Sequence, residues 1–121
     1  MAEMQPSPPL LYTLVDAWLG WTLERTADFP KNQRFTFGQR MDGLTLDLLE
    51  AVVEARYGVP LERAAALKRF NLILEKLRVL WRHTAGRGWI SQGQLLHAAT
   101  RVDEMGRMAG AWLRSTEKNL P

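Results

Sequence analysis

The chain has 121 residues, which fits one domain around one hydrophobic core. Apolar residues make up 46% and charged residues 24%, as in ordinary globular proteins, and the lack of cysteine excludes disulfides, thiolate metal sites and a thiol nucleophile. Net charge is +3 but unevenly placed: residues 1–60 hold 5 basic and 8 acidic side chains, residues 61–121 hold 11 and 5, an asymmetry that points to an anionic partner or to one read by electrostatics.

Met1 to Pro9 contain no Lys or Arg and no apolar run, so no secretory signal is expected. No segment approaches the roughly 18 apolar residues of a membrane span. Together with the absence of cysteine, this predicts a cytoplasmic protein with no membrane contact.

Pro6, Pro8 and Pro9 mark a disordered or extended lead-in over residues 1–9, and residues 10–118 read as one helical domain. A first helix is predicted over about 10–26, stopped by Asp28-Phe29-Pro30, because proline disfavours helix in the residue before it. After a short basic connection, a second helix covers about 37–57, with Gly58 as its C-terminal cap and Pro60 opening the next. A third helix runs over about 61–84 and ends in Ala85-Gly86-Arg87-Gly88. A fourth, over about 91–115, starts at Ser91, a good N-cap. No alternating run of β-branched residues reads as a strand. Four helices with short connections predict an all-α, up-down-up-down four-helix bundle.

Sorting positions by about 100° per residue identifies the faces. In the third helix Ala66, Phe70, Ile73, Leu74, Leu77, Leu80 and Trp81 form a core stripe. Lys68, Arg69, Lys76, Arg78, Arg82 and Arg87 lie on the far side, with Glu75 the single acid and Leu72 and Val79 embedded among them. A solvated face is one reading of such a run; the scarcity of acids and the two aliphatics favour a protein or phosphate-backbone partner. The connection from Phe29 to Arg40 adds Lys31, Arg34 and Arg40 among three phenylalanines, as an aromatic plug of the bundle end, a basic-aromatic contact site, or both. In the fourth helix Gly106 and Gly110 suggest close approach of another helix.

The first two helices carry second apolar stripes. In the first, Leu10, Leu14, Ala17, Trp18 and Trp21 are assigned to the core, leaving Tyr12, Val15, Leu19 and Leu23 on another side; the second helix likewise leaves Leu46, Leu49 and Val53. A lone bundle buries one face per helix. The second stripes therefore predict a homo-oligomer, with these seven residues at the subunit contact; scattered surface leucines are the alternative.

Catalytic chemistry is not expected. His83 and His97 are the only histidines, and His97 with Glu104 supplies too few ligands for a metal. Asp47, Glu50 and Glu54 read as a solvated strip, and Gly86-Arg87-Gly88 is no phosphate-binding loop. No cofactor and no small-molecule substrate are predicted.

The segment Phe29-Pro30-Lys31-Asn32-Gln33-Arg34-Phe35-Thr36-Phe37-Gly38-Gln39-Arg40, of the form FPKxxRFxxGxR, resembles a hallmark of the accessory variability determinant proteins of diversity-generating retroelements. The stretch Lys68-Arg69-Phe70-Asn71-Leu72 to Trp81 resembles it too, and Met105 to Trp112 looks like that family's Gly-Gly-Trp region. The resemblance implies a four-helix bundle that assembles as a ring-shaped homopentamer with a basic surface. It also implies binding to the retroelement's reverse transcriptase and action with template-repeat RNA or cDNA in mutagenic retrohoming, with the chemistry left to the polymerase. The wider similarity, to bundle proteins encoded in 23S rRNA intervening sequences, leaves a structural oligomer without a polymerase partner as the alternative. The charge map supplies the binding residues: Lys31, Arg34, Arg40, Lys68, Arg69, Lys76, Arg78, Arg82 and Arg87.

Overall fold

A computed structural model describes residues 8–121, with side chains from Leu10 onward. It contains four α-helices and, among the described residues, no strand: α1 (Pro8–Ala27), α2 (Gln39–Tyr57), α3 (Pro60–Gly86) and α4 (Gln92–Lys118). A 3-10 turn (Lys31–Gln33) and a π-helical turn (Arg34–Gly38) join α1 to α2. The lead-in expected over residues 1–9 falls mostly outside the described residues. Pro8 and Pro9 belong instead to the first turn of α1, where a missing N–H costs no hydrogen bond.

Consecutive helices pack side by side and α1 closes on α4, least extensively of the four contacts, as in a four-helix bundle. Residues 28–38 and 87–91 lie at the same end, where Phe29 and Phe37 each approach Trp89 at 5.4 Å between ring centroids. We call this the loop end. Behind it the core continues through Trp18, Trp81, Phe70, Met41, Met105 and Trp112.

The core line of α1 differs from expectation. Leu11, Val15, Trp18, Thr22 and Thr26 face inward, whereas Leu10 and Ala17 are exposed. Val15, expected at a subunit contact, is 0% exposed and belongs to the monomer core. Its neighbours Leu11 and Trp18 lie four residues before and three after it, so one helical stripe carries all three inward.

The helix ends are held by specific bonds. The Ser91 hydroxyl accepts from the Gln94 N–H at 3.0 Å while the Gln94 side chain accepts from the Ser91 N–H at 2.8 Å, a complete capping box. Glu62 accepts from the Val59 N–H at 3.0 Å at the start of α3. Arg63 donates to the carbonyls of Ala55 and Gly58, closing the end of α2 from the neighbouring helix. Gly58 is extended (φ −81°, ψ 160°), not left-handed. It is glycine because a Cβ there would sit 2.8 Å from the Glu54 carbonyl oxygen. Gly88, at φ 77°, supplies the left-handed turn between α3 and α4.

Gly106 faces Leu74 of α3, but a Cβ there would lie 3.6 Å from it, an ordinary contact, so the close approach expected to require glycine is not needed at this position. At Gly110 only Arg114 of its own helix lies near.

Candidate functional site

The connection between α1 and α2 is built from the inside out. Phe29 is buried against Trp81 and Trp89. Phe37 stacks on His83 with centroids 5.4 Å apart and planes 4° from parallel. The Thr26 hydroxyl donates to Asp42 Oδ1 at 2.7 Å, tying the end of α1 to the start of α2. Burial raises the pKa of the Asp42 carboxyl, and the Thr26 hydrogen bond partly offsets this. Two phenylalanines thus plug the bundle end. Phe35, between them in the π turn, is 83% exposed.

Beside Phe35 lie Arg40 and Asp47. One groove is lined by Phe35, Thr36, Gln39, Arg40, Gly43, Leu44 and Asp47. A second shares Thr36, Arg40 and Leu44 with it and runs between α2 and α3 along Phe37, Lys76, Val79 and Leu80. On the other side of His83, a shallow depression is lined by Arg82, Gly86, Arg87 and Trp89. Trp89 is half-buried against the phenylalanines and so anchors its loop, while Arg87 lies over its ring at 6.0 Å and donates to His83 Nε2 at 3.3 Å. Leu72 and Val79 are 58% and 55% exposed on the outer line of α3.

The nine basic residues expected to bind a partner separate into two groups. Lys31, Arg34, Arg40, Lys76, Arg82 and Arg87 are exposed, and among the described residues none of them ion-pairs with a carboxylate. Arg34 turns its Nε–H back to the Phe29 carbonyl at 3.3 Å. Lys68, Arg69 and Arg78 are already engaged: Lys68 with Glu117 at 3.6 Å, Arg69 with Glu54, and Arg78 with Asp103 at 2.7 Å and Glu75 at 3.4 Å. The Asp103 hydrogen bond also pushes the Arg78 pKa up, so the guanidinium stays charged and stays paired. Exposed pairs of this kind contribute only about 0–1 kcal/mol each, yet each neutralises a cation locally. The partners on α2 and α4 come from distant sequence, which is why a single-helix charge map missed them.

The apolar positions also sort. Tyr12, Leu23, Leu46 and Val53 are exposed, and Leu19 and Leu49 are half-buried. By helical angle these residues flank the seam between α1 and α2, the side away from α3.

Among the described residues no group of three or more His, Asp or Glu gathers to hold a metal, and no helix is long and apolar enough to cross a membrane. A model of a family described as bAvd-like matches residues 12–116. No curated protein and no solved structure matches the chain.

Proposed function

Because the chain belongs to the bAvd-like family, a family of accessory, non-catalytic proteins, we propose that it serves a diversity-generating retroelement by docking the reverse transcriptase with its template RNA or cDNA. The loop end of the bundle is the contact surface. The observation that supports this reading is that Lys31, Arg34, Arg40, Arg82 and Arg87, near the loop end, and Lys76, in the groove that Arg40 also lines, are exposed without carboxylate partners, whereas Lys68, Arg69 and Arg78 are paired with Glu117, Glu54, Asp103 and Glu75. Cations left unpaired by their own fold retain their field for an anionic partner, and phosphate contacts position a complex without reading sequence. Interspersed Phe35 and Val79 give the same surface apolar contact area.

The exposed strip at the α1–α2 seam supports self-association, in which Tyr12, Leu19, Leu23, Leu46, Leu49 and Val53 meet a neighbouring copy. A ring would then place every copy's loop end on the same face, since cyclic symmetry preserves orientation. Co-expression with a retroelement reverse transcriptase and its template RNA tests the function: the tagged chain retains both after washing at moderate salt. Recovery of the chain alone contradicts the proposal and favours a structural oligomer with no polymerase partner.

A further inference from the structure

We propose that Phe35 is a stacking platform for an unpaired base, so that the loop end takes single-stranded rather than duplex nucleic acid; this rests on the nucleic-acid reading above. Of the three phenylalanines in the connection, Phe29 is buried, Phe37 is half-buried against His83 and Trp89, and Phe35 alone is exposed. The π turn Arg34–Gly38 produces this division. Phe35 and Phe37 are two positions apart on a helical turn, so burying one directs the other outward. Such wide turns mark functional sites more often than ordinary helix does.

The turn is fixed before any ligand arrives. The Thr36 hydroxyl is within 2.9 Å of Gln33 Oε1 and 3.3 Å of the Gln33 carbonyl, Arg34 Nε donates to the Phe29 carbonyl, and buried Gly38 packs the inner side. These bonds hold the backbone that carries the ring, so stacking need not order the turn as well.

The chemistry around the ring selects the ligand. A phenyl group has no donor for a phosphate or for a groove edge; it gains only from another π face. In a duplex those faces are covered by stacking, whereas an unpaired base offers one, and an aromatic platform beside a cationic track is the usual single-strand arrangement. Phe35 shares its groove with Gln39, whose amide can meet a base edge, and with Arg40, which is positioned for the adjoining phosphate. From Arg40 the groove continues to Lys76. Asp47 lies in the groove holding Phe35 but not in the one holding Lys76, so it repels a backbone leaving in the opposite direction and sets the path toward α3.

The test is fluorescence anisotropy with two labelled probes of equal length, an oligouridine and an RNA hairpin closed by a non-nucleotide linker so that every base is paired, against wild type, Phe35→Ala and Phe35→Trp. Oligouridine binds wild type more tightly than the hairpin does; Phe35→Ala weakens oligouridine about ten-fold and leaves the hairpin nearly unchanged. Phe35→Trp retains oligouridine binding, and its tryptophan emission is quenched as the strand binds. If wild type binds oligouridine and Phe35→Ala binds it equally, the platform alone is overturned. If wild type binds neither probe, the nucleic-acid reading falls with it. If Phe35→Ala changes the molar mass in solution, or loses only the polymerase, Phe35 is a protein contact and the proposal is wrong.

Discussion

His97 lies against Trp21 with ring centroids 4.8 Å apart, joining α4 to α1 across the least extensive contact of the bundle. Burial lowers its pKa, and the positive charges of Arg101 and Arg25 lower it further. The folded chain therefore resists protonation that the unfolded chain accepts near the ordinary histidine value of about 6.5. Stability from this residue is complete above that value and is lost as pH falls from it toward the lower folded value. Melting temperature should decline over that window in wild type, and His97→Gln should flatten the decline; equal slopes would contradict the assignment. At the same scale, polar residues explain what the sequence concealed. Thr45, Thr84 and Thr116 are buried because their hydroxyls donate to carbonyls of their own helices, at 2.8 to 2.9 Å. Such local bonds make threonine acceptable in a core where a hydropathy reading expects none. Thr22 and Thr26 in α1 are buried too, Thr26 with its hydroxyl on the Asp42 carboxylate of α2, and they hid the true inward stripe.

At the scale of elements, the four helices, the Ser91 cap and the core stripe of α3 were legible because each pairs strong helical periodicity with a clear terminator. The phase of α1 was not. Its residues are apolar nearly all round, so Leu10 and Leu11 compete equally, and only contact with α2 and α4 chooses between them. The paired cations of α3 were illegible for a similar reason, since Glu54, Asp103 and Glu117 reach them from neighbouring helices. The π turn leaves no periodic signature at all, although the alternation of Phe29, Phe35 and Phe37 marked the segment as unusual. Two glycines separate local strain from propensity. Gly110→Ala meets only the Arg114 side chain at 3.5 Å and should raise stability by about 0.5–1 kcal/mol through helix propensity. Gly58→Ala places a methyl 2.8 Å from the Glu54 carbonyl and should lower it. Urea denaturation of both variants checks the pair; destabilisation by Gly110→Ala would show that a neighbouring copy needs the small residue.

Over the whole molecule, two surfaces differ in chemistry. The α1–α2 seam presents apolar side chains with few cations, and the loop end presents cations with an exposed aromatic ring. Self-association through the seam should resist salt, because burial of apolar surface is little screened. Light scattering should therefore give one oligomeric mass in low and moderate salt, and Leu46→Asp with Val53→Asp should reduce it to a monomer. An unchanged mass in that variant would exclude the seam. The binding proposed for the loop end should instead fall as salt rises. The most direct measurement compares two charge-reversal variants of the co-expressed complex. Arg40→Glu with Lys76→Glu and Arg82→Glu should release both polymerase and template RNA. Lys68→Glu with Arg69→Glu, which disturbs only cations already paired, should retain both. The opposite order, with the paired residues essential and the loop end dispensable, would contradict the account.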